Sequence, residues 1–274
     1  MEQIEIKEVS KDAAIIHTFK DSRYASEHAR SDGTEIARIL DDPTLSVNAK
    51  SRAVYDTTSK IINDLFDSEI TPEKIHEAKN SVGAMLNGVI SNQITIASLI
   101  KVSSYDYYTY THCVNVCVYS AGLGKEIGLS PKEIELLGAG GIMHDLGKAK
   151  VDIDIVNKPG RLTDEEFTEM KRHPVYGYEI LKDQFENDEI ILTSVRHHHE
   201  KMNGSGYPDG IKGDNLSLYA RIVAVCDIFD ALTTKRSYKP ALSTFEALTL
   251  MKDKMLAELD VKVLTYFIRM MGKG

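Results

Sequence analysis

Long apolar runs are missing from this 274-residue chain. No stretch approaches the ~18 consecutive apolar residues that a membrane-crossing helix needs, so a transmembrane protein or a membrane partner is not expected. The first twenty residues, MEQIEIKEVSKDAAIIHTFK, are charged throughout and have no apolar h-region, so no secretory signal is expected either. Cysteine is scarce. Three residues, an odd number, exclude a disulfide scaffold and fit a reducing, cytoplasmic compartment. Positive charge is in deficit: 33 Lys+Arg stand against 41 Asp+Glu, a formal net charge of −8. Binding to polymeric nucleic acid depends on neutralising many phosphates and is not expected of such a chain. A small anion could still bind where the charge is locally positive. Repeats, low-complexity tracts and Gly/Ser linkers are also absent.

What is present is enough apolar material, 42% of residues, to bury a core without staples. The length suits one large or two modest domains. Residues 1–43 are charged and weakly patterned, with a turn signal at Ser31-Asp32-Gly33. They are read as an N-terminal extension of unassigned structure, a candidate contact for a second copy or a signalling partner. From Leu45 onward the apolar residues recur at helical spacing, as in Val54, Ile61, Ile62, Leu65 and Phe66. A helical lead-in is placed over 44–100. Thr71-Pro72, Ser130-Pro131 and Thr163 read as helix starts. Helices are expected over PKEIELLGAGGIMHDLGK, EIILTSVRHHHE and SLYARIVAVCDIFDALTTK, among others. Period-2 alternation is almost absent, so the fold class is all-α. The long irregular stretches are 150–162 and 200–217, and both flank polar clusters.

Those clusters carry the chemistry. His144 and Asp145 are adjacent within an apolar helix, and Lys148 falls four and three residues later, over the same helical face. The bland reading is a buried histidine bonded to a carboxylate. In VRHHHEKMNGSGYPDG, three histidines precede a Gly-rich loop. On a helix successive residues diverge by ~100°, so at most two of the three can aim inward. The loop glycines would let backbone approach a ligand, or they make an ordinary turn. In RIVAVCDIFDALTT, Asp227 and Asp230 are i,i+3 within a strongly apolar helix. Burying carboxylates costs several kcal/mol unless something positive compensates. A metal would do so; helix capping or an ion pair with Arg221 or Arg236 is the alternative. His112 and His173, each alone, would pass for core or cap histidines. Together, His112, His144, Asp145, His173, His198, His199 and Asp227 supply about as many N/O ligands as two metals sharing one bridging carboxylate require. No thiolate is needed, and Cys113 and Cys117 are read as small core residues.

HDLGK, HHEKMNGSGYPDG and RIVAVCDIFDALTTKRSYKPAL resemble the HD-GYP family of cyclic-di-GMP phosphodiesterases, part of the wider HD metal-dependent phosphohydrolase superfamily. The resemblance spans residues ~85 to 270. It implies an HD-type helical bundle with a buried metal centre and a catalytic domain over 101–274. It implies His112, His144, Asp145, His173, His198, His199 and Asp227 as ligands of two divalent ions, iron or manganese, with Asp145 bridging. It implies Tyr207 as the motif tyrosine, and Lys148, Arg236 and, more weakly, Lys239 as holders of the substrate phosphate. A hydroxide bridging the metals would attack phosphorus, with Lys148 or a water protonating the departing 3′-oxygen. The implied reaction converts cyclic-di-GMP to linear pGpG, with a further step to GMP left open. Some members carry a glutamate four residues before the opening histidine, associated with a third metal. Here that position is Tyr108, so two metals are expected. Cyclic GMP-AMP as substrate, a non-hydrolytic di-iron protein of the same fold, and a signalling module are the alternatives.

Overall fold

The computed structural model describes residues 33–103, 111–158, 160–234 and 241–272. Among them lie thirteen α-helices and no strand, as the patterning requires. Helices α1 (Thr34–Asp41), α2 (Val47–Asp67), α3 (Pro72–Ile90) and α4 (Ile96–Ser103) lead in. Helices α5 (Thr111–Ile127) and α6 (Pro131–Met143) form a central pair. Then come α7 (Ile153–Val156), α8 (Asp164–Met170), α9 (His173–Leu181) and α10 (Glu189–His197). The chain closes with α11 (Leu218–Thr233), α12 (Thr244–Lys254) and α13 (Val261–Met271).

The starts read from sequence are built as capping chemistry dictates. The Thr71 hydroxyl accepts the Lys74 N–H ahead of Pro72. Ser130 with Glu133, and Thr163 with Glu166, form reciprocal capping boxes that satisfy otherwise orphaned backbone donors. The end of the charged N-terminal stretch is itself helical: α1 buries Ile36 and Leu40 against the lead-in helices.

Helix α5 sets the position of everything else. A helix apolar on all sides must sit in the interior, and α5 is buried along nearly its whole length. Val114, Cys117, Val118 and Ala121 join a core with Val54, Ile62, Leu86 and Ile142. Val116, Tyr119 and Leu123 join a second core with Ile222, Val223, Phe229 and Phe267. The first turn of α5, carrying His112, is therefore inside the molecule rather than at its rim.

Two helix ends differ from the sequence reading. Helix α6 stops at Met143 instead of running through Lys148. His144 turns its Nδ1–H onto the Gly141 carbonyl at 2.7 Å, and the chain tightens into a 3₁₀ turn over Leu146–Lys150. The reason is tertiary. Gly147 lies directly on the start of α9, where an added Cβ would meet the His173 carbonyl oxygen at 1.9 Å and the Gly177 nitrogen at 2.3 Å. Helix α10 likewise ends at His197, short of Glu200. The chain after it folds back at Gly206, whose Cβ would meet the Glu200 Cα at 2.4 Å. Both histidine motifs thus sit where a helix gives way to a turn.

Candidate metal centre

Five elements deliver the seven expected side chains to one buried site. His112 comes from the first turn of α5, and His144 and Asp145 from the end of α6. His173 opens α9, His198 and His199 follow α10, and Asp227 lies in α11. All but His199 are buried, and His144 and His173 are fully so. Their potential ligand atoms fall into overlapping groups within 4.8 Å of one another: His112, His144 and Asp227; His173, His198 and His199; and His144, Asp145 and His198. Asp145 lies between the first two groups. Its Oδ1 is 3.3 Å from His173 Nε2, and its Oδ2 is 3.4 Å from His144 Nε2 and 3.7 Å from His112 Nε2.

The hydrogen bonds fix which nitrogen is free to ligate. His144, His173 and His198 each place Nδ1 on a backbone carbonyl three residues earlier, Gly141, Met170 and Val195, at 2.7 to 2.9 Å. A carbonyl only accepts, so Nδ1 carries the proton and the neutral ring offers a lone pair at Nε2. His173 and His198 then face each other Nε2 to Nε2 at 3.2 Å. Two lone pairs at that separation repel unless a cation lies near both. Three carboxylates, Asp145, Asp227 and Asp230, are buried here against one buried ammonium, Lys148. Such a set is costly to bury without further positive charge. The donor set fits divalent cations of borderline hardness, which take imidazole and carboxylate together.

Electrostatics point the same way. Burial, reinforced by His199 and Lys148 against the opposing Asp145, pushes the His173 pKa down to about 3, and His198 is also held well below its ordinary value by burial and its histidine neighbours. These rings stay neutral, the form in which an imidazole can ligate. For Asp145, burial favours the protonated form, but His144 and Lys148 outweigh it and hold the carboxyl well below the usual range. Asp227 is lowered in the same sense, with the His112 hydrogen bond outweighing burial. His112 goes the other way: burial opposes its charge, yet hydrogen bonds to Asp227 and Asp230 lift its pKa to about 10. A cation at Nε2 would take the place of that proton.

Neighbouring residues orient these groups. Lys148 Nζ donates to Asp145 Oδ2 at 2.7 Å, reaching it through the 3₁₀ turn rather than along a helix face. Asp230 is not paired with Arg221, which donates instead to Asp260 at 2.7 Å. Asp230 accepts from His112 Nδ1 and from Asn115 Nδ2, both at 2.7 Å. His197 turns away from the cluster to Asp209, as the divergence of helical neighbours requires. Tyr207 stacks on the His199 ring. Cys117 and Cys226 are buried free thiols, and burial raises the pKa of each. Tyr108, Arg236 and Lys239 lie outside the described residues.

Sequence reasoning passed over three contributors. Asp230 reads in the sequence as a buried acid, but nothing there ties it to His112. Asn115 carried a signal, being a lone amide one turn after His112 in an apolar helix. Glu200, directly after the histidine pair, accepts the backbone N–H groups of Asp209, Gly210 and Ile211 at 2.6 to 3.1 Å and so closes the Gly-rich loop. No spacing rule marks such a contact in advance.

The helix ends of this all-helical bundle converge on a buried histidine–aspartate cluster with the donor set that a divalent cation takes. The HD domain family matches residues 99–263, well over half of the chain, and the chain belongs to that family. It is 35% identical over 195 residues to the cyclic di-GMP phosphodiesterase PA4108 of Pseudomonas aeruginosa, covering 71% of this chain and 47% of that protein. It is 33% identical over 153 residues to the 3'3'-cGAMP-specific phosphodiesterase 3 of Vibrio cholerae, covering 56% of this chain and 33% of that protein. The chain thus spans less than half the length of these curated relatives. The fold is similar to that of Bd1817, an HDG"Y"P protein from Bdellovibrio bacteriovorus, with a TM-score of 0.71 at 20% identity over 88% of this chain and 78% of that one. The HD-type helical fold and the family resemblance read from the motifs are both borne out. No helix among the described residues is long and apolar enough to cross a membrane.

Proposed function

We propose that this chain hydrolyses a phosphodiester bond of a cyclic dinucleotide, with cyclic-di-GMP as the principal substrate and linear pGpG as the first product. The observation that carries the reading is the placement of Asp145, whose two oxygens turn toward different histidine groups 3.3 and 3.4 Å away. A carboxylate so placed suits a bridge between two cations, one held by His112, His144 and Asp227 and the other by His173, His198 and His199. Iron or manganese fits the mixture of imidazole and carboxylate. When bound, two such cations supply acidified water and positive charge for an anionic diester.

The residues of the chain do the rest. Asp145 keeps its negative charge at neutral pH because its carboxyl is held well below the usual range. Lys148, bonded to Asp145, would hold a phosphate oxygen and give a proton to the departing 3′-oxygen. Arg236 suits bidentate contact with the second phosphate, with Lys239 beside it, on the strength of the motif alone. Tyr207 shapes the rim of the site through the His199 ring. The low cysteine count supports a reducing, cytoplasmic setting. Residues 1–43 are the part proposed to meet a second copy or a signalling partner.

The test is metal analysis of anaerobically purified protein together with turnover of cyclic-di-GMP and 3′3′-cyclic GMP-AMP. Two metals per chain and faster hydrolysis of cyclic-di-GMP are expected. Faster hydrolysis of cyclic GMP-AMP would replace the substrate but keep the chemistry. Bound metal with oxygen consumption and no hydrolysis would overturn the reading.

A further inference from the structure

The HD domain match begins at residue 99, yet one buried contact of the metal centre originates well before it. Tyr55 lies in α2 and is fully buried. Its hydroxyl donates to Asn115 Oδ1. The same amide donates through Nδ2 to Asp230 Oδ1 at 2.7 Å, and Asp230 Oδ2 accepts from His112 Nδ1 at 2.7 Å. The donors converge on Asp230 from both sides, Tyr55 through Asn115 onto Oδ1 and His112 onto Oδ2. The phenol accepts nothing from Asn115, the amide spends its oxygen on the phenol and its nitrogen on the carboxylate, and the carboxylate receives the imidazole N–H. Each link fixes the rotamer of the next. The last link leaves His112 with its lone pair on Nε2, 3.3 Å from Asp227 and 3.2 Å from His144.

We infer that Tyr55 is a positioning residue of the metal centre, acting through Asn115 and Asp230 on His112, so that the lead-in helix α2 forms part of the site. This rests on the reading of the cluster as a metal centre. The effect is selective, because the relay ends on the His112, His144 and Asp227 group only. Partners of ligating histidines commonly change metal affinity ten- to a hundredfold when removed. Loss of the far end of a three-member relay belongs at the lower end of that range.

The experiment is Mn²⁺ titration of the chelator-stripped full chain, with free Mn²⁺ read by its paramagnetic resonance signal. Wild type, Tyr55→Phe, Asp230→Asn and the double variant are compared. Ser51→Ala serves as control, since Ser51 is a buried hydroxyl of α2 bonded to Ser98 and outside the relay. Tyr55→Phe should weaken one of two Mn²⁺ sites about tenfold and leave the other unchanged. The double variant should be no weaker than Asp230→Asn alone, because both act through one chain of contacts. Wild-type constants in Tyr55→Phe, or equal weakening of both sites matched by Ser51→Ala, would overturn the inference. Absence of Mn²⁺ binding by the wild type would instead overturn the metal-centre reading beneath it.

Discussion

Tyr207 lies over the ring of His199, with centroids 4.8 Å apart and planes 28° from parallel. The loop that carries Tyr207 is held from below by Glu200 and from the side by Asp209, which receives two hydrogen bonds from Arg196 and one from His197. The motif tyrosine is therefore a wall for His199, one of the candidate ligands, and the acid of the HHE triplet is the clamp that keeps the wall in place. Tyr207→Phe, which keeps the stack, should retain metal; Tyr207→Ala should weaken it. Glu200→Gln turns an amide N–H toward backbone donors and should cost about 1–3 kcal/mol in a urea melt. An unchanged melt would remove the clamp from the account.

Asp145→Ala should abolish the binding of both metals and all hydrolysis, because each histidine group loses its shared carboxylate. Helical circular dichroism should persist, since the apolar cores on either side of α5 do not depend on Asp145. Full occupancy of two metals in this variant, measured by elemental analysis, would contradict the bridging role.

Gly147→Ala tests the turn after the His144–Asp145 pair. The new methyl would run into the backbone of His173 and Gly177, which cannot move independently of α9. Overpacking of this kind costs about 1–3 kcal/mol or more. We expect a lower melting temperature and loss of metal from the His173, His198 and His199 group. A variant with wild-type stability and metal content would show that α9 is free to shift.

Stability should fall in acid through Asp260, which caps α13 and accepts from Arg221. Burial tends to raise its pKa, but the Arg221 hydrogen bond and the N–H groups of Val263 and Lys262 outweigh burial and lower it. A carboxylate with a depressed folded-state pKa contributes stability that is complete above its unfolded pKa, about 4. That contribution is lost as pH drops through the folded value. Wild type should therefore exceed Asp260→Asn near pH 7, and the gap should close below about pH 4. A gap that stays constant to pH 3 would mean that the charge contributes nothing.

The all-α class, the helix starts at Thr71, Ser130 and Thr163, and the seven candidate ligands were all legible in the residues, because caps and periodicity are local and the motif acids and histidines stand out against apolar helices. From the residues alone it follows that five histidines and two aspartates are scarce polar groups in an apolar interior, which is enough to demand compensation. The sequence could not determine which of them come together in groups able to hold a cation, because that depends on distances between five separate elements. Nor could it determine that α6 and α10 stop short of their motifs. Their endings follow from Gly147 meeting α9 and Gly206 meeting the chain at Glu200, contacts 26 or more residues apart in one case and only six in the other. The tie from Tyr55 through Asn115 and Asp230 to His112 spans 175 positions of sequence, from 55 to 230, and only the packing of α2, α5 and α11 brings its members within hydrogen-bonding distance.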